Sequence, residues 1–410
     1  YFFSFFCFLS FYSFAQNDIY YSWAKTIGSS TDDMNYSIDV DNSGNVYVVG
    51  YFSGTIDLDP GINVDNHTIA GGRDAYFAKY NASGDYIWAK TICGVNDEQI
   101  SRITVDISGN VYIIGYFQGT VDFDPSGNIV NLTSAGNYDI FFAKYDNNGN
   151  YLWAKRIGNT NVDFGYGITV SNDNIYITGR FIGSADFNPG GAPVTLTSAS
   201  GSTDLFFAKY NASSGSCIWA KNIGAAGYDI CRYATTDNNN NVYIVGYFEN
   251  TVDFDPGSAT NNLTSHGWWD VFFAKYDSDG NYLWAKSIGD VNDDFAYKIV
   301  VDNNYVYISG YFQGTADFDP SGNVVNLIST SGSYDIFFAK YDNGGNYIWA
   351  KSIGSTNSDM GRSIAVDGSG NVYITGYFEG TADFDPGVGT VNLTASGEDI
   401  FFAKYNPNGV

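Results

Sequence analysis

Apolar residues along this chain fall into short dense runs, each bounded by Gly, Asn, Ser or Asp. Across one stretch the runs are Arg102-Ile103-Thr104-Val105, Val111-Tyr112-Ile113-Ile114-Gly115-Tyr116-Phe117, Ile140-Phe141-Phe142-Ala143-Lys144-Tyr145 and Tyr151-Leu152-Trp153-Ala154-Lys155. Their length and their β-branched and aromatic content predict strands, and no helical periodicity competes. The intervening Ser108-Gly109-Asn110 and Asn148-Gly149-Asn150 are turns of the kind that join antiparallel neighbours. The second run is apolar at nearly every position, as expected of a strand covered on both faces.

The pattern repeats. A Trp-Ala-Lys string places its Trp at Trp23, Trp88, Trp153, Trp219, Trp284 and Trp349, at spacings of 65, 65, 66, 65 and 65 residues. A fixed period of this kind marks a repeat architecture. Each unit contains four antiparallel strands, named A to D in chain order, and an insert of about twenty residues between B and C. Four-stranded units repeated radially make a β-propeller, which leaves few open strand edges. The expected fold is therefore all-β, a propeller of six four-stranded antiparallel blades. The chain begins with a lone D strand, Ile19 to Ile27, and finishes with A, B and C of the sixth unit. The expected closure pairs that D strand with Ile400 to Tyr405. A chain continuing past Val410 would instead carry more blades.

Composition sets the surroundings. Residues Tyr1 to Phe14 are almost wholly apolar, and Ser13-Phe14-Ala15 precedes Gln16. This reads as the apolar core and cleavage site of a secretory signal over residues 1–15, with the propeller over 16–410. The expected location is secreted or on the outer cell surface. A net charge of −25 with 19 basic residues argues against nucleic acid and anionic membranes and is compatible with cation binding. No other apolar run is long enough for a membrane helix. Cys93, Cys217 and Cys231 occupy unrelated repeat positions and read as apolar fillers.

The strings Ile364-Ala365-Val366-Asp367-Gly368-Ser369-Gly370-Asn371-Val372-Tyr373-Ile374-Thr375-Gly376-Tyr377 and Asp139-Ile140-Phe141-Phe142-Ala143-Lys144-Tyr145-Asp146 resemble the bacterial β-propeller repeat family abbreviated SBBP. The Asp-Phe-Asp-Pro-Gly insert and the Ala-Gln signal end resemble versions from the Bacteroidota. The resemblance recurs six times over residues 19–410. It implies an exported, often surface-attached propeller and carries no catalytic residues.

Candidate chemistry lies partly in the repeat and partly in departures from it. Twelve of the thirteen lysines follow the Phe-Phe-Ala or Trp-Ala strings. Their expected partners are aspartates at the start of strand C, from Asp74 to Asp399, and acids ten residues after each Trp. Those acids are Asp33, Glu98, Asp163, Asp229, Asp294 and Asp359. Copied into every blade, this pattern reads as structural. The inserts supply Asp57/Asp59, Asp122/Asp124, Asp186/Asn188, Asp253/Asp255, Asp317/Asp319 and Asp383/Asp385, each pair followed by Pro. Two carboxylates on one side of an extended segment suit calcium, but the favoured reading is an Asp-Pro turn in which Asp accepts backbone N–H groups and Pro fixes φ. His67 and His266 lie in inserts of different units, which excludes the usual zinc sites and argues against a Ser-His-Asp triad.

Among the departures, Arg102, Arg232, Lys298 and Arg362 stand 13 or 14 residues after a Trp. That is the start of strand A, innermost in a propeller, where they are expected to break a ring formed by the six acids. Trp268-Trp269 replaces Asn137-Tyr138 of the second unit. Paired exposed indoles suit a sugar or a partner's pocket. The reading is a monomeric binding or adhesion scaffold for an extracellular protein or glycan, without catalysis. A propeller lyase or glycosidase and a purely structural surface module are the alternatives.

Overall fold

The computed structural model describes residues 22–302 and 304–410. The expected signal and Ile19 to Tyr21 lie outside them. The strands form six radial sheets. In blade 2 they are A, Glu98–Val105; B, Val111–Phe117; C, Asp139–Tyr145; and D, Tyr151–Ile157. Neighbours in the order A-B-C-D pair antiparallel. Five sheets have four strands, and the sixth has A, B and C at Met360–Val366, Val372–Phe378 and Asp399–Tyr405. Among the described residues the only helical elements are two short 3₁₀ turns, Ala199–Gly201 and Thr330–Gly332, and no helix is long and apolar enough to cross a membrane.

The core lies between blades, and one contact repeats through it. In blades 1 to 5 the Phe that precedes the Ala-Lys-Tyr of strand C meets the strand-C Tyr of the next blade. Phe142 and Tyr210 have ring centroids 4.7 Å apart, Phe207 and Tyr276 4.5 Å, and Phe338 and Tyr405 4.7 Å. These rings are buried, which explains the high aromatic content.

Each insert, expected as a plain connection, contains a two-stranded ribbon, such as Thr120–Asp122 paired with Asn131–Thr133. Its apolar residues tuck under the blade. Val121 and Phe123 are fully buried, and the Phe123 carbonyl accepts from the Tyr145 hydroxyl at 2.9 Å.

Successive blades are also hooked together by polar bonds. The indole N–H of Trp88 donates to the Asn147 carbonyl in the next blade at 3.1 Å; Trp219 reaches Ser278 and Trp349 reaches Pro407 in the same way. The strand-C lysines lie along tyrosine rings, as expected: Lys79 is 5.0 Å from the centroid of Tyr47. Their acidic partners differ from expectation. Lys79 and Lys275 lie 3.9 Å and 3.6 Å from Asp41 and Asp237, in the A–B turns, because strand C aims these lysines at that end of the blade.

At the ring junction, Trp23 donates to the Ala82 carbonyl of blade 1 at 2.9 Å. That is the bond Trp88, Trp219, Trp284 and Trp349 make to the blade after their own, so Trp23 occupies the D position of the blade preceding blade 1. Blade 6 has that position open, a layout consistent with closure by the N-terminal strand. Ile400 and Phe402 at this junction are 87% and 81% exposed, whereas Ile336 and Phe338 in blade 5 are fully buried.

Candidate functional site

Every strand A carries a β-bulge at one repeat position. The pairing with strand B skips Tyr36, Ser101, Tyr166, Arg232, Tyr297 and Arg362 in blades 1 to 6. A bulge adds a residue to one strand and re-aims its side chain. Strand B accommodates it with the Gly of its Gly-Tyr-Phe string: a Cβ on Gly115 would lie 1.9 Å from the Gln99 carbonyl oxygen, and one on Gly310 1.8 Å from that of Phe295. Only glycine permits that approach.

The bulge residues of successive blades meet around the channel, and the next residues form a second layer. In the first layer the Arg232 guanidinium lies 4.5 Å from the Tyr166 ring centroid and 4.8 Å from Tyr297, and Arg362 lies 4.6 Å from the other side of Tyr297. Tyrosines and arginines therefore alternate from blade 3 to blade 6. Arg232 also donates to the Tyr247 hydroxyl at 2.9 Å, and Arg362 to that of Tyr377 at 3.2 Å. In the second layer Arg102 of blade 2 reaches Tyr233 of blade 4, at 4.6 Å; blade 3 offers no side chain there because the position is Gly167. Lys298 lies 3.5 Å from the same ring. Burial acts to raise the Tyr233 hydroxyl, but Lys298 and Arg102 outweigh it and hold its pKa below the ordinary value.

The four departing cations thus gather at the channel as expected, but they stack on tyrosine faces and do not interrupt an acidic ring. The ion pairs among the described residues engage other basic groups: Lys25, His67, Lys79, Arg156, His266 and Lys275. The six acids serve elsewhere. Glu98, Asp163, Asp229, Asp294 and Asp359 are buried, and each accepts the backbone N–H four residues earlier, as Asp33 also does. Most also accept an N–H from the end of strand B: Asp163 from Ile182 at 3.0 Å, Asp229 from Glu249 at 3.2 Å. They fasten the loop that enters each blade. Burial and the Asp74 carboxyl beside it push Glu98 up to about 9, and burial lifts Asp229 to about 7 and Asp163 to about 6.

The insert aspartates behave as turn residues. Oδ1 of Asp57 accepts from the N–H groups of Asp59 and Asp65, and Oδ1 of Asp122 from those of Asp124 and Val130. Asp253, Asp317 and Asp383 repeat this double bond. Asp59, Asp124, Asp255, Asp319 and Asp385 each accept the N–H two residues on. Among the described residues no group of three or more His, Cys, Asp or Glu side chains is arranged to hold a metal.

The two indoles diverge, contrary to the expected exposed pair. Trp268 is 70% exposed, while Trp269 packs against Tyr247 and Phe295 with centroids 6.1 Å and 5.4 Å away. Both line a cavity of about 540 Å³ at the channel mouth, together with Tyr166, Arg180, Tyr228, Ile230, Arg232, Tyr247 and Glu249. Arg180 was not singled out from sequence. Its signal is present: it replaces the Tyr of Gly-Tyr-Phe that the other five blades keep as Tyr51, Tyr116, Tyr247, Tyr311 and Tyr377. Its Nε donates to the Tyr166 hydroxyl at 3.0 Å, and its guanidinium lies 4.7 Å from the Phe164 centroid.

Residues 348–377 match the family described as Beta-propeller repeat, SBBP. The chain carries an SBBP repeat. The matched stretch takes in strand D of blade 5 and strand A with most of strand B of blade 6, so it includes the bulge at Arg362. Two curated relatives are similar over longer spans. The "Uncharacterized WD repeat-containing protein L264" of Acanthamoeba polyphaga mimivirus is 29% identical over 216 residues, 46% of this chain and 16% of that protein. The "Regulatory protein FlaEY" of Caulobacter vibrioides is 24% identical over 311 residues, 72% of this chain and 31% of that protein. The SBBP-bearing chain thus spans less than a third of either relative.

Proposed function

We propose that this protein is a non-catalytic binding scaffold, working outside the cell or on its outer surface, that engages a glycan or protein at the channel mouth. The observation that carries the reading is where the blades differ. Hooks, inter-blade rings and insert turns recur around the ring. The bulge positions and the end of strand B differ from blade to blade, and Tyr166, Arg180, Arg232 and Tyr247 among them line the mouth cavity. A surface that breaks the repeat is where a repeat protein can hold a selective site. The −25 charge supports a solvated, repulsive outer surface, and the apolar stretch before Gln16 supports export.

The intact chain, labelled, is applied to a glycan array, an extracellular protein array and the surface of the producing cells, with blade-matched channel variants alongside. The expected result is selective retention that the channel variants reduce. Retention on none of these surfaces overturns the reading, and turnover of an arrayed polysaccharide replaces it with an enzyme.

A further inference from the structure

We propose that the mouth cavity between blades 3 and 4 binds a sugar bearing a carboxylate, with Trp268 as the stacking surface and Arg180 as the carboxylate clamp. This rests on the scaffold reading and names its ligand class and its residues.

Four departures from the repeat converge on this one cavity. Trp268 takes the place of an Asn, Trp269 that of a Tyr, Arg180 that of a Tyr, and Arg232 stands at the bulge. A fifth change acts by charge. Nine residues after the Trp, blades 1, 2 and 5 carry Asp32, Asp97 and Asp293, whereas blades 3 and 4 carry Val162 and Tyr228. In a chain of net charge −25, acids are thus withdrawn beside the two arginines. The one carboxylate in the wall, Glu249, accepts the Tyr228 backbone N–H at 3.1 Å. The cavity therefore favours an anion against the sign of the whole molecule.

The chemistry selects the ligand further. Arg180 spends Nε on Tyr166 and is held flat by Phe164, and its terminal nitrogens make no hydrogen bond among the described residues. A guanidinium fixed in this way presents a fork that matches a carboxylate. Arg232 is sandwiched between tyrosines and serves as a charged floor. Trp268 offers an exposed indole face, which suits the apolar face of a sugar ring, and Tyr228 is 51% exposed beside it. About 540 Å³ lies within the usual range for small-ligand sites, enough for one or two sugar rings. An acidic peptide would use the arginine but has no need of a broad indole platform.

The test titrates the intact chain with an oligogalacturonate, the neutral oligogalactose of equal length and a hexaglutamate peptide, following calorimetry and tryptophan fluorescence. The oligogalacturonate is expected to bind and change the tryptophan emission, with the other two probes weaker by about tenfold or more. Trp268→Ala alters an exposed side chain and is expected to weaken binding by about tenfold. Arg180→Tyr restores the residue of the other blades and is expected to remove the preference for acid over neutral sugar, at an unchanged melting temperature. Equal binding of neutral and acidic sugars, preference for the peptide, no binding of the oligogalacturonate, or full binding by both variants overturns the proposal. If the arrays still retain the chain while these variants bind normally, the scaffold reading stands and this site fails; if the arrays retain nothing, both fall.

Discussion

The Arg232 guanidinium lies 4.8 Å from the Tyr297 ring centroid, and both residues are the extra residue of a β-bulge in adjacent blades. Bulging brings them face to face inside a channel where neither has a carboxylate partner among the described residues. A cation desolvated in this way is held by the negative faces of the rings, and such contacts are worth about 2 kcal/mol or more when water is excluded.

Removing the cation is therefore expected to destabilise the ring. Arg232→Gln should lower the thermal midpoint, with a loss of about 2 kcal/mol. Arg232→Lys should recover only part of it, since an ammonium lacks the flat face that stacks between Tyr166 and Tyr297. Thermal unfolding of the two variants checks this, and equal midpoints for wild type and Arg232→Gln would show that the stack contributes nothing.

Most of the fold was legible in the repeat period and the short apolar runs: the six Trp residues give the repeat, and the Gly/Asn turns give the hairpins. The bulges were less visible, because a bulge leaves no residue of its own type. Its trace is the Gly inside strand B, Gly115 for example, which strand propensity alone does not explain. The site was half legible. Arg232 and the Trp268-Trp269 pair stand out as departures, but sequence could not place them around one cavity, since Trp268 precedes strand C while Arg180 belongs to the blade before. The acids misled for a physical reason. A carboxylate repeated in every blade looks like a ring facing solvent, whereas Glu98 and Asp229 are buried and taken up by backbone N–H groups.

Those buried acids predict an unusual pH dependence. Burial lifts Asp163 and Asp204 to about 6 and Asp229 and Asp335 to about 7, and Glu98, with Asp74 beside it, to about 9. Unfolded carboxyls titrate near 4. The folded state therefore holds protons that the unfolded chain has released, and stability falls as pH rises from about 4 through these folded values. The thermal midpoint is expected to be higher at pH 5 than at pH 8. Glu98→Gln imitates the protonated acid, keeps an acceptor for Gly94 and should flatten the slope above pH 7. A midpoint that rises steadily from pH 5 to pH 8 contradicts the argument.

The insert turns give a prediction about calcium. Oδ1 of Asp122 already accepts two N–H groups, at 3.0 Å from Asp124 and 2.8 Å from Val130. Asp122→Ala strands both donors and should cost about 1–3 kcal/mol. The cost is expected to be equal in chelator and in millimolar calcium, and wild type should show no calcium-dependent shift in midpoint. A shift that Asp122→Ala abolishes would return the cation to these inserts.

Ring closure can be tested through register. In blades 1 to 5 the Ala of Trp-Ala-Lys pairs with the Ala of the adjacent strand C, as Ala154 with Ala143 and Ala350 with Ala339. Trp23 already holds blade 1 through Ala82 as a preceding D strand would. The same register in blade 6 sets Ala24 opposite Ala403 and covers Ile400, which is otherwise 87% exposed. Cysteines at these two positions should therefore form an intramolecular disulfide on mild oxidation, because directly opposed residues in antiparallel strands bring their Cβ atoms within disulfide reach. Pairing Ala24→Cys with Cys at Phe402, one residue out of register, should give far less, since that side chain points to the other face. Deleting residues 16–28 removes the strand and its Trp and should lower the midpoint substantially. Cross-linking only between molecules, or equal yield from both cysteine pairs, would mean that the N-terminal strand does not complete the sixth blade of its own chain.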